Sequence, residues 1–312
     1  MTTIEISGLT KSFGAVTAVS DLTFTVEPGL VTGFLGPNGA GKTTTLRMLL
    51  GLVAPTSGSA TFGGVAYHDL PRPLATVGTA LEASSFHPGR TAHNHLAIYA
   101  RAAAIDQARV ERVLRQVGLA EVGNRRVGGF SLGMRQRLGL AFALLGDPPV
   151  LVLDEPINGL DPEGIRWIRV FLRELADEGR TVLVSSHLLS EVQQSVDHAI
   201  IIAKGRLVYD GTLDGLETGA RVEVDAPDRA ALFAALSAAG VVVEPTEHGF
   251  TAAAPAGYEL SSAQVGEIAQ RAGVSLSLLS GEKGGLEEAF LRITGVDSPP
   301  DTTEATAERG RA

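Results

Sequence analysis

Cysteine is absent from this sequence of 312 residues. Its absence excludes disulfide bonds, thiolate metal sites and cysteine nucleophiles. The sequence also lacks an apolar run near the ~18 residues that cross a bilayer, and it does not begin with a basic region followed by an apolar core. These absences predict a cytoplasmic protein without a membrane span of its own.

Positive charge is scarce as well, because 26 lysine and arginine residues face 35 aspartate and glutamate residues, which gives a net charge of −9. Binding to a nucleic acid backbone is driven by clustered lysine and arginine side chains, so the sequence predicts no nucleic acid partner. His93 and His95 form the closest histidine pair, but positions i and i+2 do not face each other on a helix. We interpret this pair as solvated surface and not as a metal site.

Glycine, in contrast, is abundant, and one glycine-rich segment lies between the apolar run Val31–Leu35 and the helix-forming stretch Thr43–Leu50. It has the pattern G-x-x-x-x-G-K-T, in which backbone N–H groups converge on an anion at a helix N-terminus. The lysine is placed for the β- and γ-phosphates of a nucleotide, and the threonine hydroxyl for Mg²⁺. The predicted contact residues are Gly36, Pro37, Asn38, Gly39, Ala40, Gly41, Lys42, Thr43 and Thr44.

Two carboxylates follow the apolar run Val150–Leu153, which is typical of a strand buried on both faces. Open α/β sheets bind their ligands at the carboxyl ends of such strands. Asp154 is suited to hold Mg²⁺, and Glu155 to orient or deprotonate an attacking water. An ordinary acidic pair at a strand end is the alternative. The presence of Lys42 in the same chain favours the functional interpretation.

Strand and helix patterns alternate over residues 1–215, which predicts an α/β domain with a mostly parallel sheet and helices on its faces. Near its start, Gly58–Phe62 and Val65–Tyr67 flank a pair of glycines, which predicts a hairpin. Residues 88–146 have helical periodicity. We therefore predict that they form a helical subdomain inserted between the phosphate loop and the strand at Val150.

The sequence changes in character near residue 215. Residues 221–295 follow the order β-α-β-β-α-β, with the last strand at Val274–Leu278, and this order predicts a small α+β domain. Residues 296–312 are polar and show no periodicity. We expect them to form a disordered tail.

Three further motifs narrow the family. The segment Phe130–Arg137 resembles the signature L-S-G-G-Q, followed by R-Q-R, of ATP-binding-cassette proteins. Asn158–Pro162 resembles their D-loop, and Ser185–His187 resembles the segment that carries their switch histidine. With the phosphate loop, these motifs occur in the family's order and spacing, so the chain is identified as a member of the ABC ATPases. The resemblance implies ATP hydrolysis and a P-loop NTPase cassette with a mixed sheet and a helical subdomain.

The resemblance also implies a shared active site, because in the family two cassettes hold two ATP molecules head to tail. Ser131 and Gly133 of one subunit would face the γ-phosphate bound by the other, at the N-terminus of a helix that Ser131 caps. Asp161 would lie across the dimer interface, and His187 would hydrogen-bond the γ-phosphate and help to position the water. Phe13 stands where the family has an aromatic residue that stacks on adenine, although a core phenylalanine is the alternative.

The sequence departs from the family pattern in two places. In the signature, Leu132 replaces glycine and Met134 replaces glutamine, while Ser131 and Gly133 remain. In the Q-loop region, Glu82 stands where the family has glutamine. We interpret Glu82 as a Mg²⁺ ligand or a coupling residue, with plain loop surface as the alternative.

The subtype rests on three weaker resemblances. The stretches 82–96, 131–134 and 286–291 resemble the branch of the family that works with ABC-2-type permeases in drug and antibiotic export. This resemblance implies an ATPase that forms a dimer with a second cassette, expected to be a copy of itself, on the inner face of the cell membrane. A regulatory ABC ATPase gated by its C-terminal domain remains the alternative, because nothing in residues 221–295 excludes it.

Overall fold

The computed structural model describes residues 2–81, 86–189, 193–216, 221–246, 249–253, 260–282 and 286–294. The chain divides into two compact units, Met1–Leu213 and Asp214–Ala312. The division falls close to the change in sequence character near residue 215. No helix in the described ranges combines the length and apolar character that a membrane crossing requires.

The described part of the first unit contains nine strands and most of the helices. The strands are β1 (Ile4–Phe13), β2 (Val16–Val26), β3 (Val31–Leu35), β4 (Ser57–Phe62), β5 (Val77–Ala80), β6 (Val150–Asp154), β7 (Thr181–Ser186), β8 (His198–Ala203) and β9 (Arg206–Thr212). The α-helices are α1 (Lys42–Leu49), α2 (Pro73–Thr76), α3 (Ala92–Ala102), α4 (Ala108–Gln116), α5 (Leu132–Ala143) and α6 (Pro162–Asp177), and α7 (Leu213–Leu216) spans the division. Short 3-10 turns lie at Tyr67–Asp69, Ala120–Val122 and Val127–Gly129.

The main sheet has six strands in the order β5-β6-β7-β3-β8-β9. The first five are parallel, and β9 is antiparallel to β8. Strands β3 and β7 are buried throughout, as expected for inner strands of a parallel sheet that is covered on both faces. Because β3, β6 and β7 are parallel and lie side by side, the residues that follow each of them meet at one edge of the sheet.

A second, three-stranded antiparallel sheet has the order β2-β1-β4 and shares one hydrophobic core with the main sheet. The predicted hairpin is wrong in its second strand: β4 forms, but Val65–Tyr67 does not pair with it as a strand. Val65 makes only an isolated bridge to Phe62, and the chain then enters the turn Tyr67–Asp69. Tyr67 packs edge-on against Phe62 with ring centroids 6.1 Å apart, so its apolar side serves core packing and not strand pairing.

The sequence pattern does not predict strand β5. This strand has only four residues and contains Gly78, which weakens a strand pattern. The structure requires a glycine there, because a Cβ on Gly78 would overlap the carbonyl oxygen of Ala143 in α5. Close approach between this edge strand and a helix therefore decides the residue type.

The second unit begins with the end of α7 and continues through β10 (Arg221–Asp225), α8 (Arg229–Ala238), β11 (Val242–Thr246), β12 (Gly249–Ala253), α9 (Ser262–Arg271), β13 (Leu278–Glu282) and α10 (Leu286–Thr294). Its sheet is antiparallel in the order β11-β12-β10-β13. The strand predicted at Val274–Leu278 is wrong in position, because Val274 and Leu276 pack against the core from the connection before β13. The predicted tail, residues 296–312, lies outside the described residues.

Candidate nucleotide-binding site

The glycine-rich segment joins the buried end of β3 to the start of α1. Gly41 precedes the helix with φ +108°, and a Cβ there would crowd the carbonyl oxygen of Ala18. Since glycine has no capping side chain, the described residues supply no side-chain cap to the first N–H groups of α1. These donors, with the positive end of the helix dipole, form the kind of site that binds phosphate.

Lys42 is the first residue of α1 and is only 6% exposed. Its Nζ donates to the carbonyl oxygen of Gly36 at 2.6 Å and lies 3.7 Å from Oε1 of Glu155. Burial lowers the pKa of Lys42, while the carboxylates of Glu155 and Asp154 oppose that effect. The ammonium group is therefore held in place at the loop by a backbone oxygen and a carboxylate.

Asp154 ends β6 and receives two hydroxyl hydrogen bonds. Thr43 Oγ1 donates to Asp154 Oδ2 at 3.2 Å, and Ser185 Oγ donates to Asp154 Oδ1. Burial raises the pKa of Asp154, and these two hydrogen bonds act against the rise. The hydroxyl of Thr43 and the carboxylate of Asp154 form an oxygen donor pair of the kind that Mg²⁺ uses when phosphates and waters fill its other positions.

Glu155 lies at the centre of the site with an unusual backbone. Its φ is +49°, a left-handed conformation that is uncommon for a residue other than glycine. Its backbone N–H donates to Ser185 Oγ at 2.9 Å, and its Oε2 lies 2.9 Å from Nδ1 of His187. With Lys42 on its other oxygen, the Glu155 carboxylate is held between a cation and an imidazole.

Ser185 is a residue of this site that the sequence motifs do not single out. They present it only as part of the segment that carries His187, yet it bonds to both Asp154 and Glu155. The structure shows the reason in the strand pairing, because Asp154 and Ser185 are direct partners in the parallel register of β6 and β7. A prediction of that register would have identified Ser185.

The signature segment lies on the surface. Ser131 is exposed and caps α5 by accepting a hydrogen bond from the backbone N–H of Met134 at 3.2 Å. Asp161 is exposed and caps α6 in the same way, accepting from Gly164 at 2.8 Å. Gly133 lies in the first turn of α5. All three stay candidates for contact with a nucleotide held by a second subunit.

Of two further predicted site residues, the structure describes Phe13 but not Glu82. Phe13 is 53% exposed at the end of β1, with the ammonium of Lys11 4.9 Å from its ring centroid. The alternative of a core phenylalanine is therefore wrong, and an exposed ring is accessible for stacking on a base. Glu82 lies outside the described residues, and its predicted role stays a prediction.

His95 corrects the interpretation of the histidine pair. It is 5% exposed and packs among the rings of Phe86, Tyr99 and Phe142, with centroid distances of 4.9, 5.1 and 6.1 Å. Burial lowers the pKa of His95. The prediction of solvated surface is wrong for His95, because this position faces the core side of α3. His93 lies 3.2 Å from Glu111.

The chain is similar to known ATP-binding proteins of transporters. A sequence model described as ABC transporter matches residues 19–158. The bacitracin transport ATP-binding protein BcrA of Bacillus licheniformis is 45% identical over 219 residues, which cover 69% of this chain and 72% of that protein. BcrA of Enterococcus faecalis is 35% identical over 304 residues, which cover 94% of this chain and 96% of that protein. A solved ATP-binding subunit of an ABC transporter has a TM-score of 0.62 at 30% identity and covers 69% of this chain and 91% of that one.

The parallel sheet, the glycine-rich loop before α1 and the carboxylates after β6 define a P-loop ATPase of the cassette class. The similarity to known proteins takes the identification further. The chain belongs to the ABC transporter family, as an ATP-binding subunit that hydrolyses ATP. The family and the fold class predicted from the sequence are confirmed.

Proposed function

We propose that this chain is the ATPase of an antibiotic export system and works as a dimer on a separate ABC-2-type permease at the inner face of the cell membrane. The names of two relatives support this substrate class, since both are bacitracin transport proteins. The Enterococcus faecalis relative aligns over 304 residues, so the similarity extends into the second unit. This coverage favours transport over a regulatory ATPase gated by the C-terminal domain.

The main observation behind the proposed ATPase activity is that the Glu155 carboxylate lies between Lys42 and His187, 3.7 Å and 2.9 Å away, at the carboxyl end of the sheet. Lys42 and the open N–H groups of α1 would bind the β- and γ-phosphates of ATP. Glu155 would accept a proton as a water oxygen forms a bond to the γ-phosphorus and the bond to the β-phosphate oxygen breaks. His187, in contact with Glu155, would keep that carboxylate oriented.

Thr43 and Asp154 are the residues that would hold Mg²⁺. The ion would neutralise negative charge on the β- and γ-phosphate oxygens. The donor set fits this role, because Mg²⁺ is usually bound by one or two protein oxygens together with substrate phosphates. Burial makes the ionised form of Asp154 less favourable than it is in water, and a nearby cation would offset that effect.

The partner surface would consist of exposed residues from the signature and the D-loop. Ser131, Gly133 and Asp161 would contact ATP held by a second copy of the chain, while Phe13 would stack on the adenine of the same subunit. Exposure at Ser131 and Asp161 supports this role, because a residue that serves another subunit must be accessible in one subunit alone.

The test compares Glu155→Gln with the wild type. Turnover should fall by at least about 100-fold, because the proton acceptor is lost, while ATP should trap a dimer that light scattering detects. Glu111→Gln is the matched control, since it removes another carboxylate that lies beside a histidine, 3.2 Å away. Turnover at the wild-type rate in Glu155→Gln would refute the role of Glu155. Absence of an ATP-dependent dimer would refute the composite site.

The substrate class needs a separate measurement in cells. Cells that express the chain with its permease should resist bacitracin better than cells that carry Glu155→Gln. Equal growth of the two strains on bacitracin and on other peptide antibiotics would refute antibiotic export while leaving the ATPase assignment intact.

A further inference from the structure

Leu132 of the signature and Gly159 of the loop 158–161 are matched in shape. Leu132 is the first residue of α5, and its side chain is 47% exposed. Its Cδ2 lies 2.4 Å from the position that a Cβ on Gly159 would take, so an alanine at 159 would force the end of the leucine side chain to move. Gly159 also has φ +72°, a conformation that glycine adopts readily.

The same two segments touch again one turn further along. The amide Nε2 of Gln136 lies 3.5 Å from the carbonyl oxygen of Asn158, within reach of a weak hydrogen bond. A Cβ on Gly133 would stand 3.4 Å from Cδ2 of Leu160, which is ordinary van der Waals contact. The Gln136 amide thus reaches a backbone oxygen of the other segment, and the Leu160 side chain lies near Gly133.

The helices behind these segments are joined as well. The guanidinium of Arg137 in α5 lies 4.0 Å from the ring centroid of Trp167 in α6. Arg137 also donates through Nη1 to the carbonyl oxygen of Val117 at 3.2 Å. A cation over an aromatic face is attracted by the ring quadrupole. The Arg137–Trp167 contact therefore joins α5 to α6, the helix that follows the D-loop.

We propose that Leu132 and Gly159 form a positioning contact that holds residues 131–136 of the signature segment and residues 158–161 of the D-loop as one unit during ATP turnover. This inference rests on the proposed function, since it presupposes the composite site. The contact fixes Ser131 relative to Asp161, so a nucleotide that draws in one of them also moves the other. Leucine in place of the signature glycine is then one half of a matched pair, with glycine at 159 as the other half.

Exposure argues against a purely stabilising role for Leu132. A leucine that serves the core is buried and excludes water, whereas Leu132 leaves 47% of its surface accessible. It directly follows Ser131, whose hydroxyl caps the same helix. Its side chain therefore rests on the D-loop at the point where the signature begins.

The test is a cycle of four proteins: the wild type, Leu132→Ala, Gly159→Ala and the double variant. Gly159→Ala alone should lower kcat about tenfold with a smaller change in KM, because it pushes Leu132 out of place. In the Leu132→Ala background the same substitution should lower kcat about twofold or less, since the space is then free. The backbone strain of alanine at φ +72° is the same with Leu132 and with alanine at 132, so it cancels when the two effects of Gly159→Ala are compared.

Gly240→Ala is the control for that strain. Gly240 has φ +78°, and a Cβ there would meet no described atom within 4 Å. It should lower the melting temperature slightly and leave kcat at the wild-type value. An effect of Gly159→Ala on kcat that is equal in both backgrounds would overturn the proposal. Coupling in melting temperature without coupling in kcat would overturn it too, because the contact would then be structural only.

Ser131→Ala separates the failure of this proposal from the failure of the composite site. If Ser131→Ala lowers turnover but the cycle shows no coupling in kcat, the positioning contact alone is wrong. If Ser131→Ala turns over ATP at the wild-type rate, the composite site is wrong and the positioning contact falls with it.

Discussion

The phosphate loop and the signature segment each lead into a helix, but the two helices begin in different ways. Helix α1 follows Gly41 and takes no side-chain cap from the described residues, so its first N–H groups remain open to a ligand. Helix α5 follows Ser131, whose hydroxyl already accepts a hydrogen bond from Met134. The uncapped N–H groups of α1 are therefore available to bind an anion. In α5 the backbone N–H of Met134 already donates to Ser131, and the Ser131 side chain is exposed to solvent.

The surroundings of the two helices differ in the same sense. On the phosphate side, hydrogen bonds join residues as far apart as Thr43 and Asp154, which are separated by 111 positions. On the signature side, the caps at Ser131 and Asp161 reach only three residues along the chain. A single subunit therefore holds the polar groups of its phosphate side together through a long-range hydrogen bond, whereas the exposed side chains of Ser131 and Asp161 make local cap hydrogen bonds.

The largest effect should come from breaking the phosphate side at Lys42. In Lys42→Ala, the affinity for ATP should fall about 100-fold, because charge-assisted hydrogen bonds contribute ~1.5–3 kcal/mol each. Titration with a fluorescent nucleotide measures this loss. ATP binding within about threefold of the wild type would show that the α1 backbone alone supplies the affinity.

The next effect should come from the signature side, where Ser131→Ala should lower turnover about tenfold while one subunit still binds nucleotide. Ser261→Ala is a matched control, because Ser261 caps α9 in the second unit through a hydrogen bond of the same 3.2 Å length. Each variant should lose ~1 kcal/mol of stability from its cap. If both variants reduce turnover equally, Ser131 acts through folding and has no special relation to ATP.

A smaller effect is expected from Ser185→Ala. The hydrogen bond from Ser185 lowers the pKa of Asp154, so its removal should raise that pKa further above the usual value. The acid limb of the turnover profile should therefore move to higher pH, and the apparent Mg²⁺ affinity should fall about threefold. Magnesium titrations at several pH values measure both changes. An acid limb that does not move would show that Asp154 does not control it.

The smallest effect concerns stability without a ligand. Burial raises the folded-state pKa of Asp154, so the stability linked to its protonated form is lost as the pH rises through that pKa. Asp154→Asn should therefore raise the melting temperature at pH 7, because it removes a charge that burial disfavours. Asp161→Asn is the control on the signature side, and it should change little because asparagine caps helices as well as aspartate does. A lower melting temperature for Asp154→Asn would contradict the burial effect.

The sequence predicts the phosphate side better than the signature side. Lys42, Asp154 and Glu155 lie at the carboxyl ends of β3 and β6 or shortly after them, and the carboxyl ends of neighbouring parallel strands meet. Ser185 escapes prediction because its role depends on the register between β6 and β7, which no local pattern fixes. The match between Leu132 and Gly159 escapes it for a similar reason, because it joins two loops through the shape of a single side chain.

The wrong predictions have one physical origin. Val65–Tyr67 is apolar, and Val274–Leu278 alternates apolar residues with serine, so both resemble strands. Tyr67, Val274 and Leu276 instead pack against core clusters from turns and connections. Polarity alone places His95 at the surface, although it lies on the buried side of α3. Local sequence indicates whether a residue tends to be buried or exposed, but it does not indicate which residues it contacts in the folded chain.

The left-handed backbone at Glu155 has a genetic consequence. A glutamate codon becomes a glycine codon by a single base change, and glycine would relieve a conformation that costs other residues ~1–2 kcal/mol. Given the role proposed for Glu155, the product would be a folded subunit that binds ATP but does not activate water. In a cell with one altered and one normal gene copy, such subunits would enter most dimers, so the allele would act dominantly and remove more transport than its share of the protein.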